Sequence, residues 1–402
     1  MHHMGPNVEI ILLGILACVI VYSLLTKAIS RTILTLPIIF MVIGLLASAP
    51  MTALAPPAVM HDFSRLLAEI TLILILFADA SHVRFARLKG NIQYPLRMLV
   101  IGMPLTILLG TLVVYMLSPT GGVAMALLTA AVLTPTDAAL GQTVVSSPDV
   151  PPRLSQTINI ESGLNDGLAL PFVLLGAILA SAGMEQARTE GLAIAALLQL
   201  VLGPAVGVLV GWAVARALDM AFDRDWVAES AQGVVFLATA FAAYLLAELI
   251  GGNGFIAAFV GGAVFGNAFR HDIHFITEFM ESQGQLLTMS AFLIFGAVLL
   301  PAGLNHMTPT AVIIAVLFLT VVRMGPIVLS LAGSRLNLRE KLFLGWFGPR
   351  GIASILFTLI MIDEYEFPRE DELLACVSMT VFLSILLHGV SATPLARRIG
   401  RA

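Results

Sequence analysis

The chain has 402 residues, of which 58% are hydrophobic and only 11% charged, with a formal net charge of −4. A soluble domain carries roughly 25% charged residues, so a large soluble core is excluded and an all-α polytopic membrane protein is expected. No basic patch with interleaved aromatics is present, which argues against nucleic acid as a partner, and Cys18 and Cys376 lie singly in apolar runs as small apolar side chains.

Taken in order, the apolar runs predict about thirteen spans, at 8–27, 32–49, 63–81, 94–117, 121–146, 154–182, 190–216, 230–250, 254–268, 282–302, 308–332, 340–362 and 371–396. A helix needs ~20 residues to cross ~30 Å of hydrocarbon at ~1.5 Å per residue. The first run is long and no small-residue cleavage pattern follows it, so it reads as a span and not as a signal peptide. The ninth run is short and carries Gly251, Gly252, Gly254, Gly261, Gly262 and Gly266, which predicts little tilt or close backbone packing. No connecting loop has room for a folded domain. His2 and His3 are set aside.

Basic residues suggest an orientation. With the N-terminus outside, Lys27, Arg31, Arg84, Arg87, Lys89, Arg97, Arg153, Arg216, Arg224, Arg270, Arg335, Arg339, Lys341, Arg397, Arg398 and Arg401 fall on the cytoplasmic side, sixteen of the 21 Lys and Arg residues. Arg65, Arg188 and Arg369 fall outside, and Arg323 and Arg350 lie in or near spans. This is the bias that the positive-inside rule expects. It places the protein in the cell (inner) membrane with a cytoplasmic C-terminus.

Two spans are interrupted. The fifth contains Thr134-Pro135-Thr136-Asp137, and the twelfth contains Phe347-Gly348-Pro349-Arg350-Gly351. Proline lacks the helical N–H, and glycine permits off-helix backbone. Two broken spans in corresponding positions point to a transporter site built on inverted repeats. The repeats would cover approximately 8–182 and 230–396, with 190–216 as linker helix, in a single transmembrane domain.

The sixth span carries Asn159-Ile160-Glu161-Ser162-Gly163-Leu164-Asn165-Asp166-Gly167. On a helix turning about 100° per residue, with Glu161 at zero, Asn165 sits near ~40°, Ser162 near ~100° and Asp166 near ~140°. These polar groups share one face. Ionised side chains inside hydrocarbon are expensive and mark function by default. Oxygen ligands on one face, opposite a broken helix with free carbonyls, suit a hard monovalent cation. The bland alternative is a polar seam between helices, which normally uses Ser, Thr or Asn and not two carboxylates. Asp137, just past Pro135, would compensate half-helix N-termini, with or without contacting the ion. Arg323, in the middle of the eleventh span, needs a carboxylate, and Glu161 is the candidate. That pairing leaves Asp166 as the free acid. Arg350 would offset the opposite dipole ends or cap freed carbonyls. Asp79 is a possible pathway residue, and Glu248 reads as interfacial. His388 reads as a satisfied core histidine. The acidic run from Asp363-Glu364 to Glu372 reads as a solvated outer loop.

These motifs, TPTDAAL, NIESGLNDG and FGPRG, in this order along almost the whole chain, resemble the cation/proton antiporter superfamily, in its NhaP/NHE-like branch. The resemblance implies an inverted-repeat antiporter fold with two broken helices crossing at mid-membrane. It implies that Asp166, beside Asn165, binds the cation or the proton, with Ser162 and Thr136 as further cation ligands and Thr136-Asp137 as the unwound pair. It also implies Glu161 paired with Arg323, and a homodimer. The family's common Thr-Asp-Pro reads Thr136-Asp137-Ala138 here, with the proline moved to 135. Its third-span glutamate is replaced by Ala78 followed by Asp79.

The expected mechanism is competition at one carboxylate. Burial favours the protonated form of Asp166 and a bound cation favours the ionised form. Asn-Asp members of the family exchange one cation for one proton without net charge. Na+ is the first expectation, with Li+ beside it and K+ as the alternative. A cation channel or sensor on the same fold is a weaker reading, since no sensing domain is seen. A membrane enzyme is weaker still, since no GxSxG, HExxH or paired-cysteine site is present. No cofactor is expected.

Overall fold

The computed structural model describes residues 6–29, 34–54, 57–83, 92–182, 189–271 and 274–400. Arg31, Arg84, Arg87, Lys89, Arg188 and Arg401, used above for orientation, lie outside the described residues. The described residues form helices and connections with no strand. The helices fall into thirteen segments, numbered here in chain order. They are α1 (Pro6–Ile29), α2 (Leu36–Leu54), α3 (Pro57–His82), α4 (Gln93–Leu117), α5a and α5b (Gly122–Val132 and Ala138–Val145) and α6 (Pro152–Ala182). Next come α7 (Thr189–Asp223), α8 (Glu229–Leu249), α9 (Gly254–Ala268), α10 (274–305) and α11 (Pro309–Ser330). The last are α12a and α12b (Leu338–Trp346 and Ile352–Glu364) and α13 (Glu370–Gly400).

Seven of these, α4, α6, α7, α8, the apolar part of α10, α11 and α13, are long and apolar enough to cross a membrane. Four shorter apolar stretches lie in α1, α2, α5a and α9. The halves of α5 and α12 fall short because each break divides one span in two. The N-terminal half of α3 carries Asp62, Arg65 and Glu69 before its apolar run begins. Helices also run past the apolar limits read from sequence. α7 continues to Asp223 and α10 begins at His274, since polar end turns stay helical without raising hydropathy.

Two helices carry a π turn. Residues Met98–Gly102 of α4 precede Pro104, and Phe295–Leu299 of α10 precede Pro301. A proline inside a helix leaves a carbonyl without its donor, and a local widening re-spaces the ladder. α11 also has a break, at Thr320, whose hydroxyl donates back to the Val316 carbonyl at 2.6 Å.

α9 is the wedge that fixes the helices around the acids. Its N-terminus is capped twice: the Asn253 side chain accepts from Ile256 N–H at 3.0 Å, and Glu248 Oε1 accepts from Gly254 N–H at 2.7 Å. Glu248 is therefore a cap. On one side α9 meets the Gly203-Gly207-Gly211 row of α7. A Cβ on Gly207 would stand 2.6 Å from the Ala257 carbonyl oxygen, and one on Gly211 2.3 Å from that of Gly261. On the other side, a Cβ on Gly262 would stand 2.1 Å from the Phe77 oxygen of α3, and one on Gly266 2.0 Å from the Ser81 oxygen. Backbones thus touch without intervening side chains, the packing that small residues permit between membrane helices. The stretch 77–81, including Asp79, is held by this contact.

At one end of α6 and α12a, Arg153 pairs with Glu340, which also forms a capping box with Asn337 at the start of α12a. Arg65 of α3 meets Asp363 of α12b at 2.5 Å, and Tyr244 donates to Glu69 at 2.7 Å.

The wedge yields a prediction. Gly262→Ala puts a methyl against a carbonyl that cannot rotate away, so α3 must shift, and overpacking of this kind costs about 1–3 kcal/mol. The melting temperature in detergent should fall and cation-driven exchange should weaken. Gly14→Ala, with open space around it, should leave both unchanged.

Candidate functional site

The site is built where α5 and α12 break beside one another. α5a ends at Val132, and Thr134 turns its hydroxyl back to the Ala130 carbonyl at 2.7 Å. Pro135 offers no N–H, and α5b begins at Ala138. α12a ends at Trp346 and α12b starts at Ile352. A direct backbone bond joins the two breaks, Asp137 N–H donating to the Pro349 carbonyl at 2.8 Å.

Four helix ends converge here, each with unsatisfied backbone groups. The Asp137 carboxylate serves both N-terminal ends. Its Oδ1 accepts from Leu140 N–H of α5b at 3.3 Å, and its Oδ2 accepts from Ile352 N–H of α12b at 2.8 Å. Arg350 serves the C-terminal end of α5a, its Nη1 donating to the carbonyls of Thr134 at 2.5 Å and Pro135 at 3.1 Å. Ser354 Oγ donates to the Val132 carbonyl at 2.7 Å. Arg350 is 0% exposed and, among the described residues, its hydrogen bonds go to main-chain carbonyls and not to a carboxylate. A cation at a helix C-terminus and an anion at an N-terminus are both the favourable sign.

The glycines of FGPRG each make room for a charge. A Cβ on Gly351 would stand 1.9 Å from Asp137 Oδ2, and one on Gly348 2.4 Å from Arg323 Nε. Any side chain at 351 would displace the carboxylate that holds both half-helices.

On α6, Glu161 is 1% exposed. Its Oε1 accepts from Arg323 Nη1 at 2.8 Å, and its Oε2 accepts from Thr136 Oγ1 at 3.1 Å. Thr136 Oγ1 lies 3.1 Å from Ser162 Oγ and accepts from Asn165 Nδ2. A hydroxyl has one hydrogen. Since Thr136 gives its hydrogen to Glu161, Ser162 is the donor in their contact. Glu161, Thr136, Ser162 and Asn165 thus form one network that bridges α5 to α6, and Arg323 extends it to α11.

Asp166 sits one turn beyond Ser162 and is 8% exposed. Its Oδ1 is buried with no hydrogen-bond partner among the described residues, as is Asn165 Oδ1. Buried polar atoms are nearly always bonded, so orphaned oxygens call for an explanation. Among the described residues, the carboxylates of Asp79, Asp137 and Glu161 lie within electrostatic reach of Asp166. Asp79 lies against α6, since a Cβ on Gly163 would stand 3.6 Å from the Asp79 carbonyl oxygen and 3.8 Å from its Cβ. It is partly exposed, unlike the other three. Concentrated negative charge with free oxygen lone pairs is chemistry for a proton or a metal cation.

The sequence reading did not find Ser354 and Ser384. Ser384 Oγ accepts from Arg350 N–H at 2.7 Å. His388 is buried and bonded, its Nε2 lying 2.9 Å from the Trp346 carbonyl oxygen. The i,i+4 spacing of Ser384 and His388 in an apolar span was the one available signal.

Known proteins resemble the chain in sequence and in fold. The chain is 27% identical over 97% of its length to the K(+)/H(+) antiporter NhaP of Alkalimonas amylolytica, covering 67% of that protein. It is 24% identical over 93% of its length to K(+)/H(+) antiporter NhaP2 of Shewanella oneidensis, covering 64% of it. The chain therefore spans about two thirds of these curated relatives. The fold is similar to that of the sodium proton antiporter MjNhaP1 from Methanocaldococcus jannaschii, with a TM-score of 0.80 at 20% identity, covering 98% of this chain and 100% of that one. The family described as sodium/hydrogen exchanger, transmembrane, matches residues 11–398, nearly the whole sequence, and the chain belongs to that family.

Proposed function

We propose that this chain exchanges a monovalent cation for a proton across the membrane by alternating access, with Asp166 as the group that carries one or the other. The observation behind this reading is the buried, unpartnered Asp166 Oδ1 among three other carboxylates. Proton and cation exclude each other there, because each neutralises the same charge. Ser162, Asn165 and the Thr136-Asp137 break surround the ion. Glu161 is a strut, since both its oxygens are engaged. Asp79, partly exposed beside Gly163, is a passage residue between Asp166 and water.

Three pairings support one-for-one exchange without net charge. Glu161 is matched by Arg323, Asp137 by two helix N-termini, and Arg350 by helix carbonyls. Among the buried carboxylates of the site, Asp166 is then left to titrate, with the partly exposed Asp79 standing outside this count. The wider arrangement is read as two inverted repeats, approximately 8–182 and 230–396, moving about this crossing, with the N-terminus outside and a homodimer as the working form. The transported ion is Na+ or Li+. K+ is the second reading, favoured by relatives that match this chain over 97% and 93% of its length and are described as K(+)/H(+) antiporters.

Everted vesicles carrying a pH gradient test the reading with each ion in turn. Na+, Li+ or K+ should collapse the gradient in a saturable way. Asp166→Asn should abolish this collapse while melting at the same temperature or higher, because the change removes a buried charge facing other acids. Cation-dependent proton flux that persists in Asp166→Asn would contradict the assignment.

The strut makes a separate prediction. Glu161→Gln leaves the buried Arg323 guanidinium unpaired, and breaking a buried pair costs about 3–5 kcal/mol. Replacing both residues by uncharged ones should recover most of that loss in a thermal melt. Equal destabilisation in the single and double variants would show that the two are not coupled.

A further inference from the structure

The C-terminal end of α12a at Trp346 faces the same problem as that of α5a, a set of carbonyls without helical donors. Among the described residues, no guanidinium serves it. His388 of α13 does so instead, at the Trp346 carbonyl, and Ser384, one turn before it on α13, takes the Arg350 N–H at the far side of the break; the two are 1% and 0% exposed. His388 Nε2 lies 2.9 Å from the Trp346 carbonyl oxygen, which can only accept, so Nε2 carries a hydrogen. Ser384 Oγ accepts from Arg350 N–H at 2.7 Å and lies 3.2 Å from His388 Nδ1. Its one hydrogen is free to go to Nδ1. Nδ1 also lies 3.0 Å from the Ser384 carbonyl oxygen, which would take a hydrogen from a doubly protonated ring. The ring packs on Trp346 at 5.0 Å and Phe347 at 6.4 Å between centroids, and Trp346 Nε1 donates to Ser391 Oγ at 2.9 Å.

Ser384 and His388 therefore reach the two ends of the non-helical segment 347–351, at Trp346 O and Arg350 N. That segment contains Gly348, which seats Arg323, and Arg350, which caps α5a. The charged groups that reach His388 are the guanidinium groups of Arg350 and Arg323. Among the described residues no carboxylate bonds the imidazole, whose partners are Ser384 and the Trp346 carbonyl.

We propose that His388, acting with Ser384, is a positioning residue for the exchange site: the pair clamps the second helix break and thereby fixes where Arg323 and Arg350 stand. It neither binds the cation nor carries the transported proton. Without the clamp, Arg323 and Glu161 lose their register and the surroundings of Asp166 change, so apparent cation affinity falls and the pH profile of exchange moves.

The proposal rests on the exchange reading above, and a parent chain without exchange would defeat that reading before any variant is compared. The full chain is reconstituted in liposomes, and exchange is measured against Na+ and K+ concentration over a pH series. His388→Ala and Ser384→Ala should each raise the apparent KM about tenfold, the worth of one buried hydrogen bond, and shift the pH profile. His388→Gln keeps an amide N–H for the Trp346 carbonyl and has no titrating proton. It should restore the parent KM to within about twofold, with an unshifted profile. If His388→Gln is as impaired as His388→Ala, the titrating ring itself is required and the proposal fails. A parental KM in Ser384→Ala also overturns it. That variant changes little volume, so it carries the test should His388→Ala fail to melt cooperatively.

Discussion

Two broken helices cross inside a water-poor layer, and their four open ends must be neutralised by the protein itself. A helix end carries about half a unit charge, positive at the N-terminus and negative at the C-terminus. Asp137 stands between two N-terminal ends, α5b and α12b, so one carboxylate meets about one unit of positive dipole. Arg350 meets the C-terminal end of α5a, and His388 bonds that of α12a at the Trp346 carbonyl. Glu161 and Arg323 cancel each other one layer away. With these charges paired off, Asp166 stands, among the described residues of the site, as the buried acid without a counter-charge. An acid in that position is neutral when it holds a proton or a monovalent cation, and in the proposed function that choice is the exchange.

The crossing is also a steric construction. Gly348 and Gly351 are required because Arg323 and Asp137 occupy the space a side chain would take. Gly207, Gly211, Gly262 and Gly266 let α9 lie backbone to backbone between α7 and α3, which brings Asp79 against Gly163 of α6. The charges thus stay where backbone contact holds them, a stiffer arrangement than long side chains would give.

Much of this was legible in the residues. Long apolar runs and charges buried inside them are strong signals, because hydrocarbon makes the first favourable and the second costly. The breaks at Pro135 and at 347–351, the shared face of Glu161, Ser162, Asn165 and Asp166, and the close packing of α9 all followed from local chemistry. The π turns at Met98–Gly102 and Phe295–Leu299 did not, since a prolonged helix with one proline reads the same either way. Nor did the choice of Arg350 between the possible helix ends, because that depends on which broken helix lies opposite. His388 reads as a satisfied core histidine and is one, buried with both ring nitrogens bonded; that one of those bonds meets the open end of α12a shows only when that end lies beside α13. Glu248 looked interfacial and turned out to cap α9, a bond to a residue six positions away in a turn that hydropathy does not describe.

The central claim is that one carboxylate trades a proton for a cation. It is tested most directly by counting protons released when the cation binds, by calorimetry of the detergent-purified chain in buffers of different ionisation enthalpy. Below the pH at which Asp166 ionises, about one proton should leave for each cation bound, and the release should fall toward zero as pH rises above it. Asp166→Asn should show neither binding nor release. Cation binding with no proton release at any pH, or unchanged release in Asp166→Asn, would contradict the account.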